Sequence, residues 1–227
     1  MERHFDLELN ELKQRLLAMA GHAEAAVNDA MRALVERDYD LALRVRDNDR
    51  TIDELEIEID NLAIHLLAKA PLASDLRLVT VAMKVSQNLE RVGDEAAKIA
   101  NRARDLSQEP PLNVSVDLPR IAQLVVHMLK SVLDSFVHRD SAAARALIPL
   151  DKEVDALNKE INRTLARQMA EDPGAIGRCL NLMIVSKSLE RIADHATNVA
   201  EEVVYLCEAL DIRHTGKGGP VLEPQHE

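Results

Sequence analysis

Apolar residues recur every three or four positions along nearly the whole chain. Phe5, Leu9, Leu12, Leu16, Met19, Ala23, Ala26, Ala30 and Leu34 form one stripe, which predicts a long amphipathic helix over about 5–35. Arg37-Asp38 ends it, and Asp38 is placed to cap a short helical piece from Tyr39 to Val45. Asp47-Asn48-Asp49 reads as a turn and the cap of a second long helix carrying Ile52, Leu55, Ile59, Leu62 and Leu66. Pro71 stops that helix near Ala70, because proline lacks the amide hydrogen a helix interior needs. Ser74 reads as the cap of a third helix, with Leu76, Val79, Met83, Leu89, Val92, Ala96 and Ile99 on its apolar side and an end near Leu106. Gln108-Glu109-Pro110-Pro111 is a break, and Pro119 opens the next helix.

The pattern then repeats. Ile121 to Val137 is apolar and helical, and Arg139-Asp140 ends it as Arg37-Asp38 did. Ser141 to Ile148 matches the short piece, and the segment from Asp151 to Leu157 aligns with Asp49 to Leu55. Asp172-Pro173-Gly174 breaks the chain before a last helix carrying Leu182, Val185, Leu189, Ile192, Ala196, Val199, Val203 and Leu206. The expected architecture is all-α: a tandem duplication of two three-helix bundles, six long helices in all. The first bundle is expected over 1–108 and the second over 117–213, with 214–227 a disordered tail. The two bundles are large enough for separate cores or for one shared core.

Composition agrees with helices: aromatic residues make up 2% of the chain and Trp is absent, while Ala, Leu, Arg and Glu abound. The net charge of −11 argues against nucleic acid as a partner, since that affinity comes mainly from Lys and Arg on phosphates. Two cysteines, Cys179 and Cys207, make neither a disulfide framework nor a zinc site and read as free thiols. No stretch has the apolar length of a membrane span, and the polar start of the chain lacks a signal core, so the expected location is the cytoplasm.

One stretch appears twice. Leu89-Glu90-Arg91-Val92-Gly93-Asp94 returns as Leu189-Glu190-Arg191-Ile192-Ala193-Asp194. Each copy stacks two carboxylates one turn apart on one helix face. The second and third helices of each half are joined by a short break, so they should be antiparallel neighbours. Hairpins centred on Pro71 and on Asp172-Pro173 put Asp53 level with Glu90 and Asp49 level with Asp94. They likewise put Asp155 level with Glu190 and Asp151 with Asp194. Clustered carboxylates take up a proton or hold a cation. Oxygen donors without Cys or close His suit magnesium, calcium, manganese or iron better than zinc. Glu56 and Asp60 extend the stripe in the first half, and Asn198 and Glu201 extend it in the second. Asn158 and Asn162 stand where Glu56 and Asp60 would repeat, so the halves are expected to differ in affinity or nuclearity.

A plainer reading competes: Asp94 beside Lys98, Asp155 beside Lys159, and Arg91 and Arg191 next to the acids make an ordinary solvated face. His195 adjoins Asp194 either as a peripheral ligand or as a structural histidine. A di-iron oxygenase would carry ExxH on two bundle helices, and the chain has that spacing only at Glu223–His226 in the tail. Glycine-rich phosphate loops, nucleophile elbows and CxxC pairs are absent. No catalytic residue is assigned, and the chain is expected not to be an enzyme. A metal-dependent phosphohydrolase using the same carboxylates and a metal storage bundle remain the alternatives.

The run from Leu189 to Glu201 resembles the signature of the PhoU family of phosphate-uptake regulators. Ala73-Ser74-Asp75-Leu76-Arg77-Leu78-Val79 and Glu90-Arg91-Val92-Gly93-Asp94 resemble that family's first repeat, and the likeness covers about 4–214. It implies a PhoU-like six-helix fold and divalent or trivalent metal ions on the stripes, with iron, manganese, magnesium or zinc all compatible. The implied ligands are Glu90, Asp94, Glu190 and Asp194, with Asp49, Asp53, Asp151 and Asp155 from the facing helices. The resemblance further implies a non-enzymatic negative regulator of phosphate import and the starvation response. Its partners would be the ATPase subunit of a phosphate ABC transporter and a membrane sensor histidine kinase, and its form a homodimer. Where the family often has Gly before the final Asp in both repeats, this chain has Gly93 but Ala193, which should tighten one helix contact and change little else.

Overall fold

The computed structural model describes residues 2–69, 73–114 and 116–213. Seven α-helices are found there: α1 (Glu2–Glu36), α2 (Tyr39–Leu67), α3 (Ala73–Ser107), α4 (Leu118–His138), α5 (Ser141–Leu147), α6 (Asp151–Glu171) and α7 (Ile176–Glu208). Six are long and α5 is a single short piece. The described residues contain no strand. The helices α1–α3 form one bundle, and α4–α7 repeat it. Ala70 and Pro71, where the first hairpin break is expected, and the tail from 214 onward lie outside the described residues.

The repeated Arg-Asp pairs are corner devices. Arg37 and Arg139 both adopt the left-handed conformation, with φ of 57° and 52°. The Asp38 carboxylate accepts from Leu41 N at 2.9 Å, and Asp140 accepts from Ala143 N at 2.9 Å. Each aspartate thus satisfies one of the orphan amides at the start of the next helix. The Arg37 side chain also reaches over to donate to the Leu106 carbonyl at 2.6 Å, closing the end of α3. Asp117 caps α4 in the same way, ahead of Pro119.

Two sequence expectations need correction. The turn expected at Asp47-Asn48-Asp49 does not form: α2 runs unbroken from Tyr39 to Leu67. The second half does break, through a 3₁₀ turn at Ile148–Leu150. Pro149 occupies there the place of Asp47, and its missing amide hydrogen interrupts the α-helical ladder. Asp47 keeps its amide, so the polar residues of the first half ride on a continuous helix. Ser74, expected as a cap, lies inside the first turn of α3.

The core is continuous across both halves, with Leu12, Leu16, Ile52, Leu89 and Ile99 of the first and Ile121, Met128, Leu165 and Leu189 of the second fully enclosed. The helices α3 and α7 lie at its centre and run antiparallel. Lys84 meets Glu202, Asn88 meets Asn198, and Arg102 meets Asn181 along their length.

Candidate functional site

In each half the last long helix presents its two acids at the edge of the core. Leu89 and Val92 are buried, and Glu90 and Asp94 sit beside them; Leu189 and Ile192 are buried, with Glu190 and Asp194 in the matching places. Facing them, Asp49 and Asp53 flank buried Ile52 on α2, and Asp151 and Asp155 flank buried Val154 on α6. The approach is tightest at Gly93. A β-carbon there would lie 2.9 Å from Asp49 Oδ1 and 2.9 Å from Ile52 Cδ1.

The electrostatics show which carboxylates are neighbours. Burial pushes Asp49 up to about 6, helped by the charges of Asp53 on its own helix and Asp94 across the gap. Asp194 is likewise pushed up to about 6, by desolvation first and then by Glu190, Asp151 and Asp155. It keeps an exposed face, yet its packed surroundings remove part of its hydration. Asp151 is raised by burial and by Asp155 and Glu190. Glu90 is raised by burial and by Asp94, against the relief of Arg91, with Glu56 and Asp53 adding to the repulsion. The structure therefore brings together Asp49, Asp53, Glu90 and Asp94 in one half and Asp151, Asp155, Glu190 and Asp194 in the other.

Some of the plainer pairings occur and others do not. Arg91 contacts both Glu90 (3.3 Å) and Asp94 (3.2 Å), and Lys159 lies 3.6 Å from Asp155. Lys98 turns instead to Glu95, at 2.9 Å. Arg191 leaves its own acids and crosses to Glu95 at 3.1 Å, while Lys187 takes its place beside Glu190. Asn198 is drawn to the seam between halves, where its amide donates to Asn88 Oδ1 at 3.3 Å. His195 Nδ1 lies 3.0 Å from the same oxygen, and burial lowers the ring's proton affinity. As the side chains stand, no three His, Cys, Asp or Glu groups among the described residues converge around one point.

The residues nonetheless suit a hard cation. Asp151 Oδ1 is buried and accepts no hydrogen bond, while the buried Glu90 Oε2 has only the Arg91 guanidinium beside it and the buried Glu190 Oε2 only the Lys187 ammonium. Buried carboxylate oxygens ordinarily find a donor, and oxygens left without one lower their energy by taking a proton or a metal ion. The donor set is all oxygen, which selects magnesium, manganese, calcium or iron chemistry. Asn158 does not contribute to it: it is buried, accepts from Ser186 Oγ at 2.7 Å and from Asn162 at 2.9 Å. The second half thus spends on core hydrogen bonds the positions that carry Glu56 and Asp60 in the first.

A polar seam between α3 and α7 was not singled out by sequence. Glu202 is 5% exposed and receives Lys84 Nζ at 3.0 Å on both oxygens. Glu95 is buried too; hydrogen bonds from Ser188, Lys98 and Arg191 outweigh burial and hold it below its ordinary range. The signal was present: Glu95 follows Val92 and Glu202 follows Val199 by three residues, which places both acids on the apolar stripe.

Comparison with known proteins accounts for the duplication. The PhoU domain matches this chain twice, over residues 16–103 and 118–203. The phosphate-specific transport system accessory protein PhoU homolog of Pseudomonas aeruginosa is 42% identical over 95% of this chain and 90% of its own length. The Escherichia coli accessory protein PhoU is 35% identical over 93% and 88%. The crystal structure of PhoU from Pseudomonas aeruginosa superposes with a TM-score of 0.88, at 42% identity, over 90% of this chain and 99% of that one. The Streptococcus pneumoniae phosphate transport system regulatory protein PhoU gives 0.85 at 27% identity, over 92% and 99%. With its repeats, helix order and near full-length likeness all in agreement, this chain belongs to the PhoU family.

Proposed function

We propose that this chain is a cytoplasmic negative regulator of phosphate uptake and of phosphate-starvation signalling, working by contact with other proteins rather than by catalysis. The observation that carries the reading is the near full-length likeness to proteins named as accessory and regulatory components of phosphate transport. Its partners on this reading are the ATPase subunit of the phosphate ABC transporter and a sensor histidine kinase, and its form is a homodimer. No helix among the described residues is long and apolar enough to cross a membrane; on this reading the membrane is reached through those partners.

The carboxylate sets give the regulator its metal sites. Asp49, Asp53, Glu90 and Asp94 would hold an ion in one half, and Asp151, Asp155, Glu190 and Asp194 in the other. A bound cation supplies charge neutralisation, which lets both helices of a pair keep ionised acids at close range. Capture of the ATPase subunit and the kinase on immobilised protein, with and without chelator, tests the reading; failure of both to bind under both conditions would sink it.

A further inference from the structure

The outer face of α2 differs from that of its duplicate α6 in a way the fold does not require. Asp53, Ile57, Asp60 and Ile64 follow one another at steps of four, three and four, so they form one stripe along the helix. Ile57 is 61% exposed and Ile64 60%, two turns apart on the same line. Asp60 stands between them and, with Glu56, lines an open cleft of about 360 Å³ between α2 and α3. Among the described residues, Asp53, Glu56 and Asp60 form no ion pair. The corresponding stripe on α6 is Asp155, Lys159, Asn162 and Ala166, and there Lys159 neutralises Asp155 at 3.6 Å. Both helices bury the same inner face, Ile52 and Ile59 against Val154 and Ile161. The exposed isoleucines and unpaired acids are therefore not needed to pack the helix.

We propose that this stripe of α2 docks a cationic amphipathic helix of a partner protein. Two apolar side chains of that helix, two turns apart, would cover Ile57 and Ile64, and a lysine or arginine between them would reach Asp60 and the Glu56 side of the cleft. Charge complementarity selects this occupant: the face alternates apolar and unpaired acidic groups, and an anionic lipid surface is repelled by the same acids. The proposal rests on the adaptor reading above and names the chemistry of one docking face, which the second half lacks.

The test measures fluorescence anisotropy of a labelled helical peptide of about 18 residues with leucines two turns apart and lysines between. A scrambled peptide of the same composition is its control, and both are run on the full chain after chelation, so that no cation masks Asp53. The patterned peptide is expected to bind about tenfold more tightly than the scrambled one. Ile57→Ser/Ile64→Ser should erase that preference without moving the melting curve, because both side chains are already in solvent. Lys159→Ala/Ala166→Ser should leave it intact. Equal binding of the two peptides to wild type overturns the proposal, and so does a preference that survives the isoleucine variant. A variant that instead dissociates self-associated protein, with no effect on peptide, assigns the face to a second copy and overturns it as well. Capture of the transporter ATPase or kinase despite a negative peptide result leaves the adaptor reading standing and removes only this surface.

Discussion

Gly93 lets the Asp49 carboxylate pass where a β-carbon would stand, with only 2.9 Å between that carbon and Oδ1. In the middle of an exposed helix, Gly→Ala raises stability by about 1 kcal/mol. Here the same substitution pushes on Ile52, which is enclosed in the core, and overpacking of this kind costs about 1–3 kcal/mol. Gly93→Ala is expected to lower stability by about 1 kcal/mol net and to shift Asp49 away from Asp94. Denaturant unfolding reads the first effect, and a smaller rise in the Asp49 pKa, followed by NMR, reads the second. A gain in stability would show that α2 and α3 are not in contact there.

The raised aspartates give the metal-free protein an unusual pH dependence. Asp49 and Asp194 move from the ordinary 3.8 to about 6, so the folded chain holds protons that the unfolded chain has released. The share of stability set by these two groups is greatest below the ordinary value, falls as pH rises toward about 6, and is flat above it. With solvent still reaching both groups, the discounted size is about 1 kcal/mol for each. Asp49→Asn should remove its share of the fall and stabilise the metal-free protein at neutral pH. Thermal melts across this pH range in chelator check it, and a rise in stability over the same window would contradict it.

Asn158 and Glu56 are duplicates with opposite expected behaviour. Asn158→Ala strands the Ser186 hydroxyl in the core and should cost about 1–3 kcal/mol. Glu56 carries a proton affinity raised by burial and by Asp60, so Glu56→Ala should be neutral within about 0.5 kcal/mol or mildly stabilising. Chemical denaturation of the two variants side by side separates a structural amide from a functional acid.

The seam between the halves depends on Lys84. Its ammonium is the main partner of the buried Glu202, with Arg213 farther off at 3.5 Å. Breaking a buried pair costs about 3–5 kcal/mol, and the partial exposure of Lys84 reduces that to about 2 for Lys84→Met. Lys84→Met/Glu202→Gln should recover about half of it, because the uncompensated charge is gone. Additive losses in this double variant would mean that the two groups do not interact.

Much of this was legible in the sequence because helical periodicity and duplication are both local patterns. The apolar spacing located the long helices, and the repeated Arg-Asp corners and hairpin symmetry put Asp49 opposite Asp94 and Asp151 opposite Asp194. Rotation about the helix axis was not legible, and it decided the details. Arg191 crosses from α7 to Glu95 on α3 and Asn198 crosses to Asn88, because partners on another helix outcompete those one turn away, while Lys98 takes Glu95 of its own helix in place of Asp94. The continuity of α2 was missed because Asp47-Asn48-Asp49 is good turn chemistry, whereas only Pro149 in the duplicate lacks the hydrogen bond that holds a helix together.

The central claim is that the duplicated carboxylates are cation sites, and metal content with thermal stability tests it most directly. Wild type and Glu190→Ala/Asp194→Ala would be compared after chelation and after return of manganese, iron or magnesium. The account predicts that wild type regains metal and melts higher, since a ligand of the folded state stabilises it by mass action, and that the double variant loses the second-half share of both. Equal metal content and coincident melting curves in the two proteins would contradict it and leave the stripes as solvated faces.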